Sequence, residues 1–294
     1  MKTTIANFGN WNIQCIPEDG ARISILKYEG YDLFTGNPSA FKPPEKFIGE
    51  FETRPVYGYD DCFPSVDPCI YPEEQFKCRD HGELCWQKWQ VQKKDNSLIC
   101  STDCLKPEVT FKRILEFSGN NLTWRFEVIN RSAKKLVFLH VMHALFPLKK
   151  IKYIKLPDFK SVADEVRSAE IDVKSAKKLA DNLLSIKSGI YKMLLLKEIS
   201  DGVVKLEFKN GLTLHINFDV KLFPTLGIWW NNAGYPEEEG LQRTECAFEP
   251  IPGTCSDLSK SFIDGTYLST ESGKSLTWEI SWTVDNDKSI NSKP

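Results

Sequence analysis

From Leu276 to Val284 every second residue is apolar: Leu276, Trp278, Ile280, Trp282 and Val284 alternate with Thr277, Glu279, Ser281 and Thr283. Successive side chains of a strand point to opposite faces, so this segment predicts a strand with one apolar face that needs a covering layer. The same period recurs upstream. Val203–Phe208 and Leu212–Phe218 are joined through Asn210-Gly211, a dipeptide whose tolerance of positive φ marks a tight hairpin. Two further apolar-alternating runs, 115–117 and 122–129, flank the turn-rich Ser118-Gly119-Asn120-Asn121. Strands of this kind bury their apolar faces only by stacking sheets, so the pattern predicts an all-β protein.

One stretch departs from that period. Over 158–187 the composition turns to Lys, Glu, Asp, Ser and Ala, with Ala176, Leu179, Leu183 and Ile186 three or four apart. That is helical spacing on one side, and it predicts a small helical insertion covering part of a sheet, or serving as a lid or oligomer contact. Residues 37–72 carry seven prolines (Pro38, Pro43, Pro44, Pro55, Pro64, Pro68 and Pro72), which favours extended turns over long strands. With no internal repeat, low-complexity tract or linker, 1–294 reads as a single domain of a size one large β-sandwich can reach.

Charge narrows the partners. Lys and Arg number 38 against 40 Asp and Glu, and no basic run is long enough to track phosphates, so nucleic acid is not an expected partner. The first nine residues, Met1 to Gly9, are interrupted by polar side chains before an apolar leader core can form, and no segment is apolar for long enough to span a bilayer. A soluble cytoplasmic protein, monomer or homodimer, is the expectation. Nine cysteines in such a chain are expected as reduced, buried thiols. Cys62, Cys69, Cys78, Cys85, Cys100 and Cys104 crowd one region, but only Cys100 and Cys104 approach zinc-ligand spacing and no second pair matches them, so no metal is expected.

The residues able to do chemistry are few. Strand parity in 136–146 puts His140 and His143 on opposite faces, and His143 lies nearer the end of the run, where pockets open. His215 shares a polar face with Thr213 and Asn217, so it is a weaker candidate. His81 stands between Asp80, able to orient its ring, and Gly82, which lets the backbone approach a ligand. Glu249, before Pro250, ends a run in which Glu245, Ala247 and Glu249 share one face. Glu249 facing His81 and His143 across a pocket would be equipment for moving protons on a small neutral substrate. Trp86, Trp89, Trp229, Trp230 and Tyr235 lie close to these motifs, and aromatic faces pack equally well on sugars and in cores. Of Trp229 and Trp230, adjacent in a strand, only one can face the core.

In this order the motifs resemble the aldose 1-epimerase, or galactose mutarotase-like, family. The resemblance rests on His81-Gly82, on His143-x-x-Phe146 in place of a His-x-Tyr-aromatic element, and on Glu249-Pro250 with Gly253 and Asp257 after it. It implies a β-supersandwich whose curved antiparallel sheet presents a concave face to a sugar. It also implies that Glu249 takes the anomeric hydroxyl proton, that His143 protonates the ring oxygen, and that His81 assists near that oxygen; no cofactor is needed.

The chain departs from that family before the first histidine, where the usual Asn-Arg element is replaced by the segment from Glu52 to Pro64. Asp60 and Asp61 are candidates for hydroxyl recognition. Arg54 and Arg243 either bind a phosphate, as in hexose-6-phosphate mutarotases, or pair with nearby acids. Two other classes compete: a carbohydrate-binding protein without catalysis, and a lyase or hydrolase, against which the lack of a second, helical domain counts.

Overall fold

A computed structural model describes residues 2–72 and 74–286; Met1, Glu73 and 287–294, part of the expected domain, lie outside the described residues. The Ser275–Asn286 strand runs through the middle of an eight-stranded antiparallel sheet, with Leu212–Phe218 on one side and Asn121–Asn130 on the other. Both predicted hairpins are formed in this sheet: Val203–Phe208 pairs with Leu212–Phe218, and Glu108–Ser118 with Asn121–Asn130. Alternation does the sorting. Trp278, Ile280, Trp282 and Val284 are buried while the residues between them reach solvent.

Two six-stranded sheets cover this apolar face. One is ordered Thr4–Phe8, Trp11–Ile16, Arg22–Tyr28, Tyr59–Cys62, Val141–Ala144, with Tyr31–Asp32 beside Arg22–Tyr28. The other is ordered Phe146–Pro147, Thr244–Ile251, Thr225–Asn232, Ile190–Lys197, Ser161–Asp164, Ala169–Ile171. Trp124 and Trp282, neighbours on the eight-stranded sheet, present their rings to the other layer: Tyr59 lies 4.6 Å from Trp124, and Phe34 and Phe146 close on Trp282 at 5.9 and 5.7 Å. Each such ring removed from water is worth about 2–3 kcal/mol, so these contacts are what joins the sheets. The fold is the all-β architecture of stacked sheets that the strand pattern predicts.

Two local expectations need correction. The 136–146 run is not one strand. Leu136–Phe138 pairs with Leu268–Thr270, Val141–Ala144 with Tyr59–Cys62, and Phe146–Pro147 with Thr244–Ile251, so the chain steps between sheets twice. Leu139 N–H donates to Pro64 O (2.7 Å) at the first step, which keeps the break satisfied. The 158–187 insertion is only partly helical. Ser161–Asp164 and Ala169–Ile171 form an edge hairpin, whose polar composition reflects a strand facing solvent, and the helix is confined to Ala176–Leu184. That helix is capped by Ser175, which accepts from Lys178 N–H, and buries Ala176, Leu179, Ala180 and Leu183. The proline-rich 37–72 segment has turns and no long strand, as expected; its four-residue strand Tyr59–Cys62 is wholly buried.

That strand brings two adjacent carboxylates into the interior. Asp60 and Asp61 are nearly inaccessible, so neither meets a ligand as expected. Asp61 pairs with Arg113, accepts from Tyr59 O–H (2.5 Å) and bonds His140 Nε2 (3.0 Å). Burial would raise its proton affinity, but Arg113 and His140 hold it below the usual carboxylate range. Asp60, on the opposite face, pairs with Arg22 (2.7 Å) and more loosely with Arg54 (3.6 Å). Arg54 also pairs with Asp19 and donates to Cys85 O (2.6 Å), so it is spent on structure and is not in the lining of the cavity that holds Glu249 and His143.

Removing the charge of one partner should be expensive. Asp61→Asn leaves Arg113 buried without its counter-charge, and the expected loss is about 3–5 kcal/mol in urea unfolding at pH 7. A loss below 1 kcal/mol would show that the pair is not what holds this strand.

Candidate functional site

Residues 245, 247 and 249 share a face of the Thr244–Ile251 strand, and its neighbour Thr225–Asn232 presents Gly227 opposite Glu249 and Trp229 opposite Ala247. Gly227 makes room. A Cβ there would sit 2.9 Å from Ile251 Cδ1, 3.0 Å from Met193 Cε and 3.3 Å from Glu249 Cβ. This face floors a cavity of about 440 Å³ whose lining includes Glu249, His143, His81, Trp229, Arg243 and Tyr235.

His143 reaches the floor from Val141–Ala144, which packs against Thr244–Ile251. His143 Nε2 stands 3.9 Å from Glu249 Oε1, beyond hydrogen-bond reach, and among the described residues no donor bonds the Glu249 carboxylate. His143 Nδ1 is likewise buried without a partner. Both groups therefore keep their bonding capacity for something in the cavity. Burial, and secondarily Glu165 nearby, pushes the Glu249 carboxyl up to about 8. Burial, then the neighbouring His81 and Arg243, pushes His143 well below the ordinary histidine range. At neutral pH the empty pair thus holds its proton on Glu249 and leaves His143 neutral, the reverse of the distribution that the resemblance implies.

His81 comes from a turn on the far wall. Its ring stacks on Phe51 at 3.8 Å and meets His143 edge-on at 4.9 Å. Asp80 Oδ1 bonds His81 Nδ1 (2.8 Å), while Asp80 Oδ2 accepts from Phe51 N–H (3.1 Å), so one carboxylate fixes both ring and wall. Burial opposes the charge on Asp80, but the His81 bond brings it below the usual range. His81 itself is at φ +59°, followed by Gly82 at φ +70°. A Cβ on Gly82 would lie 2.0 Å from Phe63 O. The glycine serves a backbone approach to Phe63 and not, as expected, to a ligand.

Arg243 lies in the cavity wall, clamped by Glu52 through two bonds (2.7 and 2.8 Å) and by Glu245 (2.8 Å). Trp229 Nε1–H donates to Glu245 (3.3 Å), and its ring stands 5.6 Å from Tyr235. Trp230 points the other way and is buried in the core, so it drops out as a ligand contact; Trp86 and Trp89 are not in the lining either. His140, on the far side of the break, is enclosed by Asp61, Phe126 and Trp278. His215 bonds Asp285 (3.2 Å) away from the cavity.

Sequence reasoning missed one corner. Asp67 and Glu165 line the cavity, joined through Ser256: its N–H and O–H donate to Glu165 (3.1 and 2.7 Å), and its carbonyl accepts from Asp67 N–H (2.9 Å). Burial and then Glu165 raise Asp67 to about 6. The only signal near them was the Gly253–Asp257 stretch, which acts structurally: Asp257 caps the helix Leu258–Ile263, accepting from Ser259 N–H (2.8 Å). Glu249 does not end its strand, which continues through Pro250 to Ile251.

No family model matches this sequence, and no curated protein does. Solved structures do match. An Escherichia coli K12 protein provisionally named an aldose 1-epimerase superposes with a TM-score of 0.74 at 14% identity, covering 97% of this chain and 99% of that one. The Slr1438 protein of Synechocystis sp. PCC 6803 gives 0.72 at 15% identity over 97% and 96%. A galactose mutarotase-like protein from Clostridium acetobutylicum gives 0.71 at 17% over 96% and 94%. At these identities the likeness establishes a shared fold along nearly the whole chain.

The raised Glu249 carboxyl links the site to stability. Between its ordinary value of 4.5 and about 8 the folded chain holds a proton that the unfolded chain has lost, so stability falls as pH rises through that window. Glu249→Gln removes this dependence. Its stability relative to wild type should climb from pH 4.5 to pH 8 by about 4 kcal/mol in urea unfolding. A difference that stays flat with pH would mean that Glu249 is not desolvated.

Proposed function

We propose that the chain is a mutarotase-like isomerase that interconverts the anomers of an unphosphorylated aldose by acid/base catalysis at Glu249 and His143. The observation that carries this reading is the unpartnered pair at 3.9 Å, facing a cavity of sugar size. Opening a cyclic aldose needs one group to take the anomeric hydroxyl proton and another to protonate the ring oxygen, and reclosure needs the reverse. Two groups sharing one proton meet that need without a cofactor. A positioned acid or base contributes about 10²–10⁴-fold each, enough for a reaction that already proceeds in water.

The group holding the proton donates to the ring oxygen and its partner accepts from the anomeric hydroxyl. Burial places that proton on Glu249 when the cavity is empty, and a sugar bridging the pair lets it pass to either side. His81, held by Asp80 and Phe51, hydrogen-bonds the sugar beside His143. Trp229 and Tyr235 offer flat apolar faces to the C–H side of a pyranose. The solved structures of like fold support the sugar, because two of them are named for aldose 1-epimerase and galactose mutarotase.

The lining charges argue against a phosphorylated substrate. Glu52, Asp67, Asp80, Glu165, Glu245 and Glu249 face the cavity, and among the described lining residues the only guanidinium is that of Arg243, already clamped by Glu52 and Glu245. A phosphate would meet no free cation there. A single domain and a cytoplasmic setting, as monomer or homodimer, belong to the same proposal; none of the described helices is long and apolar enough to cross a membrane.

The test is anomer interconversion followed by NMR across free and 6-phosphorylated hexoses. Free sugars should be accelerated and their phosphates much less so, with Glu249→Gln and His143→Asn each lowering kcat/KM by about 10²–10⁴-fold. Above pH 8 the pair loses its last proton, so kcat/KM should decline on the alkaline side. Binding without acceleration of any sugar would make the chain a carbohydrate-binding protein, and full activity in Glu249→Gln would remove the acid/base assignment.

A further inference from the structure

The crowding of cysteines is unexplained by the proposed chemistry, and two of them face each other. Cys69–Ile70 and Lys77–Cys78 form a two-stranded ladder in which Cys69 is the register partner of Cys78. Partners in an antiparallel ladder have Cα atoms about 4.5–5.5 Å apart, inside the roughly 4.4–6.8 Å span that a disulfide bridges. Both thiols are free, so the pair is available to be joined. Cys69 is half-buried and Cys78 fully buried, an arrangement suited to one thiol that an oxidant reaches and a second that resolves the product.

The environment sharpens that division. Cys69 Sγ donates to Ser65 Oγ (3.6 Å), and the neighbouring Cys78 thiol, followed by the Ser65 contact, brings its thiol down to about 7. Cys78 is held up by the neighbouring Cys69 and by burial. The thiolate is the nucleophile, so reactivity concentrates on the exposed partner. Cys15 and Cys100 are free thiols too, but both are fully buried and serve as an internal control.

The position of the pair connects it to the site. The chain leaves the wall at Val66 and Asp67 and returns at Asp80 and His81, where His81 N–H donates to Val66 O (2.7 Å). Tyr71, stacked on Phe76 at 4.5 Å, fixes the outer end through Val137: its O–H donates to Val137 O (2.9 Å) and accepts from Val137 N–H (3.1 Å). The ladder thus closes a loop whose two ends carry Asp67, Asp80 and His81.

We propose that Cys69 and Cys78 are a site of reversible oxidation by peroxides, forming a disulfide that staples the loop bearing these cavity residues. In the first step the Cys69 thiolate attacks one peroxide oxygen, the O–O bond breaks, and Cys69 becomes a sulfenic acid as the other oxygen leaves as hydroxide. In the second the Cys78 sulfur attacks the sulfenic sulfur, the S–O bond breaks, and the departing oxygen takes the Cys78 proton and leaves as water. Two thiols are oxidised to one disulfide and one peroxide is reduced to two waters, after protonation of the hydroxide.

The test treats the full chain with stoichiometric hydrogen peroxide, blocks free thiols with an alkylating agent, and maps peptides by mass spectrometry. The expected product is a Cys69–Cys78 cross-linked peptide, two hydrogens lighter, reversed by dithiothreitol, with Cys15 and Cys100 unmodified. Closing this loop should raise the melting midpoint by about 2–5 °C. In Cys78→Ser the reaction should stop at a Cys69 sulfenic acid trapped by dimedone, and Cys69→Ser should leave Cys78 unreactive while circular dichroism stays native. Full alkylation of both cysteines after peroxide, or pairing of Cys69 with another cysteine, would overturn the proposal. These readouts do not depend on the sugar chemistry, so failure of either idea leaves the other standing.

Discussion

Two adjacent carboxylates in one buried strand set the terms for everything around them. Asp60 and Asp61 point to opposite faces of Tyr59–Cys62, and an unpaired carboxylate in such a place is far costlier than the hydrogen bonds of a four-residue strand can offset. Each face therefore has its own guanidinium, Arg113 for Asp61 and Arg22 with Arg54 for Asp60. These cations come from three separated parts of the chain, so the strand is satisfied only when Arg22–Tyr28, Glu108–Ser118 and the loop around residue 54 are all in place. Asp60 and Asp61 are in turn the register partners of His143 and Met142. The neutralised strand is the rail on which His143 is mounted.

The cavity obeys a different electrostatic rule. Below its floor every buried charge is paired; facing into it, Glu249 has only an imidazole 3.9 Å away, and Glu165 lies near enough to oppose its ionisation. Desolvation keeps a proton on the carboxyl and removes one from the imidazole, which leaves one proton between two groups of opposite type. Arg243 shows the contrast on one wall: three bonds to Glu52 and Glu245 hold it, so it shapes the pocket without offering a free cation. Unfilled hydrogen-bonding capacity is not confined to the cavity, since Arg22, Asp60 and Arg113 each keep one buried atom without a partner, but among the described residues only at Glu249 and His143 does it adjoin a space that a ligand can enter.

The fold was legible because alternation is a local property. The 203–218 hairpin, the joint at 118–121 and the terminal Trp-bearing strand all follow from a period of two and a turn dipeptide, and each formed as read. Polarity misled at 158–187, where the solvent face of an edge hairpin has the composition of a surface helix. It misled again at Asp60 and Asp61, because nothing local shows that a guanidinium some 50 residues away will follow a carboxylate into the core. Parity separated His143 from His140 even though their run is broken, since His140 lies in the break itself and turns inward, while His143 sits in the Val141–Ala144 strand that follows. Parity likewise stated that only one of Trp229 and Trp230 faces the core, without saying which. Asp67, Glu165 and Ser256 left no trace, because their association is made by loops that meet only after the sheets are stacked.

The solved structures of like fold sharpen what that difference means. Superposition at TM-scores of 0.71 to 0.74 with 14 to 17% identity requires that most positions in these sheets specify only apolar or polar, inward or outward. A specification that loose fixes backbone paths but no chemistry. Chemistry enters at the few positions where the local rule is broken: an unpaired buried glutamate, a glycine opposite it that opens the floor, and a histidine at positive φ held by its neighbour's carboxylate. Each departs from what a sheet built only for stability needs, and all three converge on one cavity, where the proposed acid/base chemistry would give them a common use.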